Sequence, residues 1–318
     1  MNSLVIVLAS QLLYYLLIVQ TGVVGAFHSH IHDIFTLPIG GVLGSLLSAY
    51  WRHYNPRQEL CYMFGLQMII SWYYPDYSLG ILLVLGFVVG YTTPLLLHIF
   101  GSQSRFQLSL GMAISYAIGT ALYAYPFEKR EYIAVLLPII SASALHFSKF
   151  QKKRRVETIK FPLHTVLLMM LWIFADSALF ETLSRSEDLD IWGHFTLLII
   201  TSHLAGVYLA YRYGKSLYES RWIIWGLFVV SYGLYYTGQG LGMAIVYPIT
   251  ISYYNVLLFS KLIEIHDIRL IGISMVGVGW IATSVANLVA FNHMLLIAGV
   301  ILLIGGIVLS FTKKRVFS

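Results

Sequence analysis

Asp176, in LWIFADSALFE, is the only carboxylate set well inside an apolar run of this 318-residue chain. An ionisable group at the centre of a bilayer costs roughly 2.5–3.5 kcal/mol on insertion scales, so it faces a bundle interior or water. From there it can take up and release a proton, or it can hydrogen-bond a neighbouring helix. Glu181, one turn or so further on, reads as interfacial. His203, in ITSHLAGVY, falls mid-segment; it is placed to pair with Asp176, to coordinate a solute, or to sit satisfied in a core. A second cluster is HSHIHD, His28–Asp33. Extended, His28, His30 and His32 share one face; helical, His28 and His32 align while His30 points away. Imidazoles beside the Asp33 carboxylate make a candidate site for Zn, Cu, Ni or Fe. An interfacial or pH-sensing role and no specific role are the other readings of that string.

These residues need something to hold them, and the composition says what. Hydrophobic residues make up 58% of the chain and charged ones 11%, with mean hydropathy +0.76. Soluble domains run near a quarter charged, so this chain lacks the polar residues to cover a wet surface. Tyr (23) outnumbers Phe (18), which suits membrane interfaces and wet cavities. The net charge of +6 does not point to nucleic acid, because the cations lie in short loops between apolar runs rather than on one face. The single cysteine, Cys61, offers neither an internal disulfide nor a thiolate cluster. The opening MNSLVIVLAS has no basic n-region and reads as a membrane helix, not a cleaved signal.

A spanning helix needs about 20 mainly apolar residues. Such segments recur at Leu4–Ala26, Ile34–Tyr50, Glu59–Tyr74, Ser78–Phe100, Phe106–Tyr125 and Tyr132–Phe147. After a basic stretch they resume at Phe161–Leu183, Ile191–Tyr213, Arg221–Tyr236, Gly240–Leu262, Leu270–Phe291 and His293–Phe311. With both termini inside, the outer loops hold only Lys129, Arg130 and Arg185, and every other Lys and Arg is inside. Two six-helix halves, 1–148 and 161–318, are then joined by the basic cytoplasmic connector KFQKKRRVETIK at 149–160.

The halves resemble each other. GSLLSAYWR (Gly44–Arg52) ends the second segment and GVYLAYRYGK (Gly206–Lys215) the eighth. The fourth and tenth carry GFVVGYTTPLLL and GLGMAIVYPITI, each with a mid-helix proline, Pro94 and Pro248. Proline removes a backbone hydrogen bond and bends a helix. Breaks at matching places in two halves point to a central solute cavity. Polar residues expected on its wall are Gln11 and Tyr15, which share a helix face, with Tyr91, Tyr247 and His203. Gln67, Asn255 and Asn287 fit either a wall or interhelical hydrogen bonding.

On this layout and these loops the chain resembles the major facilitator superfamily. That family places a signature close to G-x-L-A-D-R-x-G-R-K between helices 2 and 3 and again between helices 8 and 9. Here the second copy keeps Leu209, Ala210, Arg212, Gly214 and Lys215, with Tyr211 in place of the aspartate. The first copy keeps Gly44, Leu46 and Arg52. The resemblance implies an all-α, twelve-helix permease of the cell or inner membrane that moves a small solute by alternating access. It also implies a conformational-gating role for Gly44, Arg52, Arg212, Gly214 and Lys215. Asp176 is then the candidate coupling group, with proton coupling one option, and the protein works as a monomer in the lipid bilayer without a resident cofactor. The alternative is a membrane metal- or haem-handling protein using His28, His30, His32 and Asp33, transition-metal transport included. Enzyme signatures are missing: there is no Gly-rich phosphate loop, no H-E-x-x-H and no G-x-S-x-G.

Overall fold

A computed structural model describes residues 3–25, 31–148, 163–186, 189–265 and 267–311. Apolar runs wind into helices because a bilayer leaves backbone groups no partner but their own chain. Among the described residues twelve long helices follow: α1 Ser3–Val24, α2 Thr36–Tyr50, α3 Pro56–Ser71, α4 Leu79–Phe100, α5 Arg105–Ala121 and α6 Glu131–His146. The order continues with α7 Leu163–Ser184, α8 Thr196–Tyr213, α9 Arg221–Tyr236, α10 Gly240–Ile263, α11 Ile268–Phe291 and α12 Leu295–Phe311. Each overlaps the segment expected from hydropathy and differs at its ends by a few residues. One difference is substantive: α8 is preceded by a separate turn, Ile191–His194, which Asp190 caps by accepting from the Gly193 amide at 2.9 Å.

Starts and stops follow local chemistry. Ser78 caps α4, and Ser104 with Gln107 forms a capping box that opens α5. Asn55 caps α3, with Pro56 at the first helical position, where its missing N–H costs nothing. Two helices depart from α geometry: α1 is wound as a π-helix over Tyr15–Val24, and α11 over Val276–Ile281. Single π-turns cluster at functional sites, and both of these segments border the central cavity described below.

Packing repeats with an offset of six helices. α1 packs on α5 and α6 as α7 packs on α11 and α12; α2 pairs with α4 as α8 pairs with α10. α3 meets α4 and α6 as α9 meets α10 and α12. Contacts between the halves obey the same rule, α5 lying on α8 and α2 on α11. The α2–α4 seam is the tightest. A methyl group at Gly40, Gly44, Gly86 or Gly90 would land on a carbonyl oxygen of the facing helix. Small residues let membrane helices approach this closely.

Helix length divides the bundle. α1, α4 and α7 have 22 residues, and α10 and α11 have 24; these five are long and apolar enough to cross a membrane. The peripheral α3, α6 and α9 have 16 residues and α12 has 17. Their outer faces expose Ile69, Leu136, Ile223, Ile304 and similar side chains, the surface of a multi-pass integral membrane protein. Among the described residues, eight of the eleven Lys and Arg (Arg52, Arg57, Arg105, Arg212, Lys215, Arg221, Lys261 and Arg269) lie in or within three residues of the loops joining α2–α3, α4–α5, α8–α9 and α10–α11, which makes that the basic end. The opposite end carries Lys129, Arg130 and Arg185. The connector 149–160 lies outside the described residues.

Candidate functional site

A cavity of about 220 Å³ occupies the middle of the bundle, walled by α1, α4 and α5 from one half and α7, α8, α10 and α11 from the other. Most of its wall is apolar. Its polar groups include Gln11, Tyr15, Gln20, Thr21, Thr92, Thr93, Tyr116, Asp176, His203, Tyr254 and Asn255. Thr92 and Thr93 turn their hydroxyls back on the α4 carbonyls of Val88 and Val89. Gln11 donates to Ser141 of α6 at 2.7 Å, and Ser141 also meets Ser10 at 2.7 Å.

Asp176 lies on α7, and α10 holds its carboxylate. Tyr247 donates to Oδ1 at 2.9 Å and Tyr254 to Oδ2 at 2.5 Å. The two tyrosines are seven residues apart, two turns, so they stand one above the other on one face of α10. Tyr232 of α9 donates to the adjacent Ala175 carbonyl at 2.8 Å, which ties α9 to the same turn of α7. Next to this group, His203 of α8 engages Ser252 through Nδ1 at 2.7 Å. Its ring stacks on Tyr116 of α5, with centroids 4.7 Å apart and planes at 3°. That stack crosses from one half to the other. Asp176 and His203 thus line one cavity, but the carboxylate's hydrogen bonds go to the two tyrosines.

Other expected wall residues lie elsewhere. Gln11 and Tyr15 line the cavity. Tyr247 stands behind Asp176, and Pro248 is buried beside it in an unbroken α10. Pro94 is buried in a continuous α4 whose wall positions are Val89, Thr92, Thr93, Leu96 and Leu97. Tyr91 is placed in a different cluster. Its hydroxyl donates to Glu59 at 2.8 Å, and His53 meets the same carboxylate oxygen through Nδ1 at 2.5 Å. His53 Nε2 lies 2.8 Å from the Ser48 carbonyl, so this cluster ties the α2–α3 loop to α4 near the basic end. Sequence reasoning missed it; a histidine and a glutamate flanking a capped helix start were the available signal.

The gating-loop residues are spread out. Gly44 belongs to the α2–α4 seam. Arg52 and Arg212 lie over Tyr54 and Tyr213, at 5.0 and 5.6 Å from the ring centroids. Lys215 is exposed. Gly214 takes part in the chief tie at the basic end: Arg105 of α5 donates to the Gly214 carbonyl at 2.8 Å and to the Ala210 carbonyl at 2.7 Å. The Ala210 carbonyl also accepts from the Gly214 N–H at 3.0 Å, whereas Gly214 lies just past the end of α8; the negative end of the helix dipole makes this a natural seat for a guanidinium. Trp280 of α11 donates to Ser45 of α2 at 3.1 Å, a second bond between the halves. At the opposite end Arg185, just after α7, reaches the Val24 carbonyl of α1 at 3.4 Å and Glu181 at 3.5 Å. Its guanidinium also sits 3.9 Å over the Phe291 ring of α11. Glu181, expected at the interface, has a side chain only 2% exposed.

His32 and Asp33 form part of an exposed single turn, Ile31–Asp33, while His28 and His30 lie outside the described residues. Among the described residues no three His, Cys, Asp or Glu side chains stand close enough to share a metal ion.

No family model and no curated protein matches the sequence. Solved structures do match, over nearly the whole chain. The human organic anion transporter MFSD10 (TETRAN) superposes with a TM-score of 0.59 at 16% identity, covering 95% of this chain and 93% of that one. A bacterial homologue of the iron transporter ferroportin, in an outward-facing state with soaked iron, gives 0.66 at 12% identity over 98% and 99%. The D-xylose–proton symporter gives 0.58 at 12% over 98% and 96%. This twelve-helix membrane chain therefore has the fold of the major facilitator superfamily transporters.

Proposed function

We propose that this chain is a secondary transporter of a small solute, a permease and not an enzyme, which works by alternating access. Its six-helix halves, 1–148 and 161–318, rock about the central cavity, with the basic end in the cytoplasm and the protein in the cell membrane. One observation carries the reading: a mid-bundle cavity is shared by both halves and holds a half-buried carboxylate, Asp176. Residues that tie the halves together lie on both sides of it, Arg105 at the basic end and Arg185 at the other. Alternating access needs such ties to form and release in turn. Asp176 is the coupling group, because a carboxylate there changes charge on binding a proton or a cation.

The test begins with thermal shift on the purified full chain against transition metals and small organic solutes, since a ligand of the folded state raises the melting temperature. A hit is then followed into proteoliposomes under a pH gradient. Asp176→Asn should retain its fold and lose gradient-driven accumulation; unchanged accumulation removes the coupling role.

Metal handling is the second reading, favoured by the HSHIHD string and by the soaked iron named for the ferroportin homologue. A metal-induced shift that vanishes on replacing His28, His30 and His32 with alanine selects it. A metal shift that survives those changes but is lost in Asp176→Asn places the metal in the central cavity instead.

A further inference from the structure

We infer that the central cavity takes a small organic cation, an amine or quaternary ammonium carrying an aromatic or branched apolar group. This deepens the transporter reading by naming the substrate class of the same site. The first ground is charge. Among the described residues that line the cavity there is one carboxylate, Asp176, one imidazole, His203, and no Lys or Arg. His203 is 3% exposed, its Nδ1 is held by Ser252 and its face covered by Tyr116, so its contacts are with protein. The cation nearest the wall by its contacts, Arg130, stands behind Thr21. It donates to the Thr21 hydroxyl and to the Leu17, Tyr123 and Tyr125 carbonyls, which occupies four N–H groups of a five-donor fork. An anionic solute entering this space would meet a carboxylate and no free counter-charge.

The second ground is unused valence. An ionised carboxylate offers about four lone-pair sites. Tyr247 and Tyr254 each take one on separate oxygens, and Asp176 itself faces the cavity. Two sites remain for an ammonium N–H or a close cationic contact. The third ground is the wall. Tyr15, Tyr116, Phe180, Trp192 and Trp280 surround the space, and the electron-rich faces of such rings attract alkylammonium groups. Volume sets the size. About 220 Å³ lies under the ~300–1,000 Å³ of pockets for drug-sized ligands, so the solute is small.

A charge-matched set of probes tests this on detergent-purified full chain by isothermal titration and thermal shift. The set is benzyltrimethylammonium, its neutral carbon isostere neopentylbenzene, and phenylacetate. The expected result is binding of the cation at least tenfold tighter than of either other probe. Asp176→Glu should retain the preference and Asp176→Asn abolish it. The unliganded melting temperature and monodispersity of each variant show that it has folded. Preference for phenylacetate, equal binding of all three, no binding of any, or an undiminished preference in folded Asp176→Asn overturns the inference. Proteoliposome exchange separates the two levels. If phenylacetate or the neutral probe is carried and the cation is not, the class is wrong and the transporter reading stands. If the cation binds selectively but does not cross, the class stands and the transporter reading falls.

Discussion

Replacing Arg105 with methionine should open the basic end. In the present conformation its guanidinium makes two charge-assisted bonds, at 2.7 and 2.8 Å, from the start of α5 to the last carbonyls of α8. Those bonds join one half to the other, so they are made only while that end is closed. Hydrogen bonds to charged groups contribute about 1.5–3 kcal/mol each. Arg105 is half-buried, and water can take over part of the task for the freed carbonyls, so about 1.5–3 kcal/mol for the pair is the reasonable scale. At 1.4 kcal/mol per factor of ten, that shifts the closed-to-open ratio by roughly 10–150-fold. Spin labels at Tyr54→Cys and Lys215→Cys, in a Cys61→Ser background, read the separation of the halves at this end by pulsed electron resonance. The parent should give one dominant short distance, and Arg105→Met should add a longer population that grows to dominate. Arg105→Lys, with a single ammonium in place of the planar fork, should fall between them. If the distance distribution of Arg105→Met superposes on that of the parent, Arg105 does not hold this end closed and the gating argument fails.

Other perturbations have equally definite outcomes. Tyr254→Phe deletes the 2.5 Å bond to Asp176 Oδ2 and leaves that oxygen short of a donor, so it should lower stability by about 1–3 kcal/mol in thermal or denaturant melts. Arg185→Met strips the buried Glu181 of its cation and should cost about 3–5 kcal/mol; adding Glu181→Gln should restore most of the melting temperature, and absence of that rescue would mean the pair is not coupled. Gly90→Val should prevent recovery of folded protein, because a Cβ there strikes the Gly41 carbonyl, whereas Gly65→Ala, with open space around it, should be recovered at the parent level by size-exclusion chromatography.

The number and order of the helices were legible because hydropathy is a bulk property of each segment, and a bilayer converts it directly into helix. Helix ends were less so, since Ser78, Asn55 and the Ser104–Gln107 box fix them by hydrogen bonds that average hydropathy does not register. Asp176 stood out in the sequence because burying a carboxylate is costly. Of its partners, Tyr247 was expected on the cavity wall and not as its donor, and Tyr254 did not stand out, because choosing it among 23 tyrosines requires knowing which face of α10 looks toward α7. The matched prolines drew attention to α4 and α10, and both helices do wall the cavity. Yet neither helix is broken at its proline; the departures from α geometry lie in α1 and α11, where no proline marks the π-helical turns, the one in α11 containing Gly277 and Gly279. Tyr91 was misplaced for a similar reason. Helical spacing puts it one turn from wall positions, but its hydroxyl is drawn to Glu59, a residue of α3 whose nearness only the packing reveals.

The shortness of the peripheral helices bears on which bilayer suits this protein. At 1.5 Å per residue, a 16-residue helix such as α3, α6 or α9 is about 24 Å long. The 22-residue α4 and α7 reach about 33 Å by the same measure. A hydrocarbon core of ~30 Å therefore matches the longest helices and overshoots those at the rim. Lipids around the perimeter must thin to meet the short helices, at a fraction of a kcal/mol per Å. If the halves rock as proposed, a change that tilts the outer helices alters this mismatch, and acyl-chain length becomes a term in the equilibrium between the two access states. Reconstitution in a series of phosphatidylcholines from 14 to 22 carbons should shift the basic-end distances progressively, with the lipid acting as an effector that occupies no pocket.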